Sequence, residues 1–124
     1  MRVLLADNRQ EVRSALRLRL EEEPDIIIVG EVTKAGEILE QARVTCADVV
    51  MIDCELVGPK AKEIVPALHA LCPQMLIIAL CSRPEMKQAA LDAGVDAFIS
   101  KWDPPESLLT TIKTCYYQQK KHLE

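Results

Sequence analysis

The sequence predicts an α/β protein: a doubly wound parallel sheet of five strands with helices on both faces. Three observations predict it. Five short apolar runs recur along the 124 residues, each unbroken by polar residues, as strands covered on both faces require. Five amphipathic stretches with helical spacing separate and follow them. The alternation is strict, run then stripe five times over, which calls for parallel strands joined by right-handed crossovers.

The first run is Val3 to Ala6, and the helix after it spans Gln10 to Glu22 on a stripe of Val12, Ala15, Leu16 and Leu20. The second run, Ile26 to Val29, precedes a helix over Lys34 to Arg43 carrying Ala35, Ile38, Leu39 and Ala42. The third, Val49 to Ile52, precedes a helix over Ala61 to Leu71 built on Ile64, Val65, Leu68 and Leu71. Pro66 interrupts that pattern and leaves the start of this helix open, because proline removes a helical donor. The fourth run, Met75 to Leu80, leads to an alanine-rich helix over Pro84 to Ala93, with proline in the first turn and Gly94 as its stop. The last run, Ala97 to Ile99, is followed by the clearest stripe of the chain, Leu108, Leu109, Ile112, Cys115 and Tyr116 within Pro104 to Tyr117.

Length fits one domain, placed at residues 1–119, with 120–124 set aside as a tail compatible in part with a cloning scar. Nearly half the residues are apolar, enough for a core without staples. No apolar run reaches the length of a membrane span, and the start, MRVLLADNRQ, lacks the core of a signal peptide, so a cytoplasmic protein is expected. The net charge of −4 and the scattered basic residues argue against direct nucleic-acid binding. The five cysteines are odd in number and none are in C-x-x-C spacing. They read as small buried hydrophobes in a reducing compartment rather than a disulfide framework or zinc site.

In open α/β sheets, ligands bind beyond the carboxyl ends of the strands. Asp7 and Asn8 follow the first run, Asp53 the third, Cys81 and Ser82 the fourth, Ser100 and Lys101 the fifth. Each has a bland reading: Asp7, Asn8, Asp53 and Ser82 as caps, Lys101 as a solvated cation. Together they make an acidic pocket with one fixed cation. A carboxylate there can attack phosphorus, carboxylates suit Mg²⁺, and metal plus lysine neutralise a transferring phosphoryl group.

On these residues the chain resembles the CheY-like receiver domains of two-component response regulators over roughly residues 2 to 117. VLLADN resembles the family's first strand and acidic pair, VVMIDCELVG its third strand and phosphoacceptor, and LDAGVDAFISK its fifth strand and lysine. The resemblance implies a flavodoxin-like fold with strand order 2-1-3-4-5. It implies that Asp53 receives a phosphoryl group from a histidine kinase. Asp7, Asn8, Asp53 and the backbone carbonyl of Glu55 would hold Mg²⁺, and Lys101 would pair with the phosphoryl oxygens. Cys81 stands where the family has a threonine or serine, with Ser82 as its substitute after a one-residue shift, and Phe98 stands at the aromatic switch. The run KWDPPESLL is similar to regulators with a C-terminal helix-turn-helix DNA-binding output domain, which would lie outside this chain; a homodimer is the other expected partner.

Two departures matter. Asn8 replaces an acid and brings no charge to the metal. Cys81 replaces a hydroxyl with a weak donor. They keep open a degenerate receiver that works as a phosphorylation-independent interaction module. A small metal-dependent enzyme such as a phosphatase is the remaining class. It lacks a general base in the right place, since His69 and His122 follow no strand, and a non-enzymatic domain is expected.

Overall fold

The computed structural model describes the backbone of residues 1–123 and the side chains of residues 1–119. The strands are β1 (Arg2–Ala6), β2 (Ile27–Val32), β3 (Val49–Asp53), β4 (Leu76–Cys81) and β5 (Ala97–Ser100). The helices are α1 (Gln10–Leu20), α2 (Ile38–Thr45), a single turn α3 (Cys54–Val57), α4 (Ala61–Leu71), α5 (Lys87–Ala93) and α6 (Pro105–Leu123). Every strand pair is parallel, and the sheet order is β2-β1-β3-β4-β5, the order the resemblance implies.

Residue alternation sorts the sheet into two cores. Leu4, Ala6, Val50, Ile52 and Ile77 face Ile38 and Ala42 of α2, Val65 and Leu68 of α4 and Ala93 of α5. Val3, Leu5, Val49, Met51, Ile78 and Leu80 face Leu20 of α1 and Leu108 and Ile112 of α6. The central strands β3 and β4 are buried along their whole length, which is why they read as unbroken apolar runs. Each fully buried leucine or isoleucine contributes about 1.5–3 kcal/mol.

The differences from the sequence reading have local causes. Strand β2 runs three residues further than its apolar stretch, through Gly30 and Glu31, because it is an edge strand and half of it faces outward. Gly30 passes under Leu4, where a Cβ would come within 3.1 Å of Leu4 Cδ1. Short 3₁₀ turns at Ala35–Glu37 and Pro84–Met86 open the second and fourth predicted helices. Pro66 lies inside α4 on its exposed side, where water can serve the carbonyl that loses its donor. Gly94 ends α5 at φ 102°, with its N–H on the Ala90 and Leu91 carbonyls, as a glycine stop does. Helix α6 continues to Leu123, past the predicted end; the side chains of the 120–124 tail, His122 included, lie outside the described residues.

The cysteines correct the sequence reading. Cys54 and Cys81 stand side by side as a cysteine pair with Cα atoms 5.2 Å apart, inside the normal bridging range. Asp53 pairs with Leu80 across β3 and β4, so the residue after each meets its counterpart. Sequence separation hides this. Cys46 is exposed rather than buried, and Cys72 and Cys115 are half-buried free thiols.

Candidate functional site

The two buried polar residues among those described are Asp7, 2% exposed, and Asp53, 4% exposed. Asp7 follows the last residue of β1 and Asp53 closes β3. These strands are neighbours at the point where the sheet order reverses, the place where open α/β sheets bind their ligands. Two buried carboxylates need a partner, and Lys101 supplies it. Its backbone N–H donates to the Cys81 carbonyl at 2.8 Å, which anchors the residue after β5. Its side chain then reaches back so that Nζ stands 3.1 Å from Asp7 Oδ2 and 2.9 Å from Asp53 Oδ1.

The other oxygens are held by backbone. Asp7 Oδ1 accepts from the Arg9 N–H at 2.9 Å, and Asp53 Oδ2 accepts from the Leu56 N–H at 3.1 Å, capping α3. Asp53 therefore serves as the cap the bland reading assigned to it and as a pocket carboxylate. Its Oδ1 is buried and receives no hydrogen bond; the Lys101 ammonium balances its charge without lying along a hydrogen-bond direction. A charge-balanced oxygen with free lone pairs can attack an electrophile or ligate a hard cation.

The remaining predicted residues divide. Asn8 is exposed. Glu55 sits in the first turn of α3, its carboxylate accepting from the Ser82 hydroxyl at 3.1 Å and lying 3.5 Å from Arg83 Nε. Ser82 is thus neither the cap of the following helix, whose N-cap is Arg83 without a side-chain bond, nor a hydroxyl directed at Asp53. Cys81 is fully buried and paired with Cys54. Phe98 is half-buried against the cluster of Cys54, Ala79, Cys81 and Ala90. His69 contacts Asp96 at 3.0 Å, ahead of β5 and so at the opposite edge of the sheet.

Three contributors escaped the sequence reading. Cys54 needs strand register to be seen. The Leu56 N–H needs the α3 turn, which four residues of sequence do not announce. Trp102, 80% exposed, donates from Nε1 to the Ser82 carbonyl at 2.7 Å and ties the loop after β5 to the loop after β4. Its position next to Lys101 was its only signal.

A family model, the response regulator receiver domain, matches residues 3–113. The chain belongs to that family. Among curated relatives of this receiver domain, the response regulator UvrY of Escherichia coli is 27% identical over 120 residues, covering 95% of this chain and 55% of that protein. The transcriptional regulatory protein DesR of Bacillus subtilis is 27% identical, over 90% of this chain and 56% of its own length. The receiver thus spans about half the length of the curated relatives it matches. Among solved structures, a LuxR-family two-component response regulator from Aurantimonas sp. SI85-9A1 superposes with a TM-score of 0.84 at 25% identity, covering 94% of this chain and 85% of that one. A CheY-like receiver from Methanospirillum hungatei does so at 0.82 and 27% identity, covering 98% and 97%. No helix among the described residues is long and apolar enough to cross a membrane.

Proposed function

We propose that this receiver domain takes a phosphoryl group onto Asp53 from a histidine-kinase phosphohistidine in the cytoplasm, and that the modified domain controls an output. The observation that carries the reading is the buried Asp53 Oδ1, free of hydrogen bonds and 2.9 Å from an ammonium. Oδ1 attacks phosphorus, the phosphorus–nitrogen bond breaks, and the Lys101 ammonium balances charge on the phosphoryl oxygens. Leu56 N–H on Oδ2 keeps the carboxylate from turning.

The donor set fits Mg²⁺, which takes hard oxygens, needs only one or two carboxylates and keeps several waters. Asp7 and Asp53 are the carboxylates; no group of three His, Cys, Asp or Glu side chains converges among the described residues. The Glu55 carbonyl and the Asn8 amide are the further candidates. When bound, Mg²⁺ would supply charge neutralisation for the phosphoryl oxygens. The output is transcription control through a DNA-binding domain outside this chain or through a second copy of the receiver, in keeping with the relatives named above.

The test is incubation with acetyl phosphate and Mg²⁺ followed by intact-mass analysis. One phosphoryl group is expected on the wild type and none on Asp53→Asn. An unlabelled wild type, under conditions that label a control receiver, refutes the reading.

One observation favours a phosphorylation-independent interaction module. Cys81 is engaged by Cys54 and Ser82 by Glu55, so neither offers a donor to a phosphoryl group. That reading expects partner binding and oligomeric state to be the same in Asp53→Asn and wild type.

A further inference from the structure

We infer that Cys54 and Cys81 form a reversible thiol–disulfide gate on the Asp53 pocket, with the reduced pair permitting the phosphoryl-linked rearrangement and the disulfide blocking it. The inference rests on the phosphoacceptor reading of Asp53.

Placement carries the argument. Cys54 is the residue after Asp53, and Cys81 is the residue after Leu80, the β4 partner of Asp53. A bond between them joins the ends of β3 and β4 one residue beyond the Asp53–Leu80 pair, with Cα atoms 5.2 Å apart. Two segments are tied by it. One is the α3 turn, whose Leu56 N–H holds Asp53 Oδ2. The other is the loop after β4, whose Ser82 hydroxyl bonds Glu55 and whose Ser82 carbonyl takes the Trp102 indole N–H. Lys101 is tied to the same loop through the Cys81 carbonyl. A tetrahedral phosphoryl group on Oδ1 has to fit between these segments. With the disulfide in place they are one covalent unit. With two thiols they are joined only by hydrogen bonds that can exchange, and a switch needs an element with two arrangements.

Access is asymmetric. Cys81 is fully buried, whereas Cys54 lines an apolar pocket of about 360 Å³ together with Val57, Met86 and Ala90. A small oxidant therefore reaches Cys54 first. With hydrogen peroxide, Cys54 sulfur attacks one oxygen, the O–O bond breaks, and a sulfenic acid and one water form. The Cys81 sulfur then displaces the sulfenic oxygen as a second water, giving the Sγ–Sγ bond. Two thiols lose two electrons and two protons, and the peroxide gains both. A small dithiol reverses the step and leaves as its own disulfide. Cys46, Cys72 and Cys115 take no part.

The experiment uses the whole chain, split into a dithiothreitol-reduced and a peroxide-oxidised sample. Peptide mapping without reductant reads the linkage, acetyl phosphate with Mg²⁺ reads labelling by intact mass, and emission of the single tryptophan, Trp102, reads the loop. The expected result is a Cys54–Cys81 linked peptide, labelling at least about tenfold slower when oxidised, and recovery on reduction. Cys81→Ser is expected to label at a rate indifferent to peroxide; the two wild-type samples give the answer even if that variant folds poorly. Absence of the linked peptide after oxidation overturns the inference, and so does equal labelling of linked and unlinked protein. If neither sample labels, the phosphoacceptor reading has failed and Trp102 decides the gate. A redox-dependent emission change upholds a conformational switch, and an unchanged spectrum overturns it.

Discussion

Replacing Lys101 with methionine removes the pocket's cation while keeping most of the stem. The ammonium lies 3.1 Å from Asp7 and 2.9 Å from Asp53, and both carboxylates are almost wholly buried. Those two distances cap the separation of the contacted oxygens at about 6 Å, where two unit charges repel by about 3 kcal/mol at an effective dielectric of 20. Breaking a buried pair by removing one partner costs about 3–5 kcal/mol, and Lys101→Met is expected to lose that much at neutral pH without Mg²⁺. Adding Asp53→Asn to Lys101→Met removes the repulsion and is expected to recover about 3 kcal/mol. Urea unfolding followed by far-UV circular dichroism measures both, with an unchanged slope m confirming that only stability has moved. Lys87→Met, at an exposed position on α5, is the control and stays within about 0.5 kcal/mol of wild type. A loss below about 1 kcal/mol for Lys101→Met, or no recovery in the double variant, refutes the charge balance assigned to the pocket.

Cys46 ends α2 at φ 52°, a left-handed position that costs a side chain about 1–2 kcal/mol, against about 0.5–1 for glycine's extra entropy. Cys46→Gly is therefore expected to stabilise by about 0.5–1 kcal/mol in urea unfolding; destabilisation contradicts it. The Tyr117 hydroxyl donates to Asp25 Oδ2 at 2.7 Å, holding that carboxyl below its ordinary 3.8 and pushing the phenol above 10.0. The stabilisation is fully present above pH 3.8 and is lost as pH falls through the lowered carboxyl value; it is also lost as pH rises through the raised phenol value. The urea midpoint of Tyr117→Phe should accordingly converge on wild type at both extremes, and a gap that persists in acid counts against the bond. Leu68→Ala and Ile112→Ala each empty a fully buried site at a cost of about 2–5 kcal/mol. Because they lie on opposite faces of the sheet, their costs should add to within about 0.5 kcal/mol, and a larger departure shows coupling through the strands.

The order of elements and the trio Asp7, Asp53 and Lys101 could be read from sequence because each site residue stands where an apolar run stops, and the end of a run is a local signal. The edges of elements were harder. Gly30 and Glu31 belong to β2 through pairing rather than hydrophobicity, and α3 is one turn with no stripe to show. Contacts made by register were invisible: Cys54 with Cys81 depends on the β3–β4 pairing, and Ser82 with Glu55 joins residues 27 apart. Reading Ser82 as a cap followed local rules correctly and missed a long-range partner that outcompeted them.

The parity of β3 has a consequence for how this chain tolerates change. Asp53 shares its parity with Val49 and Met51, while Val50 and Ile52 face the other way. One residue inserted or deleted between 49 and 52 would exchange the two sets, and the run would still look hydrophobic. Asp53 would then turn its carboxylate out of the pocket that holds Asp7 and Lys101. Length variation is therefore confined to the connections, and within the strand the aspartate's aim is fixed by counting alone.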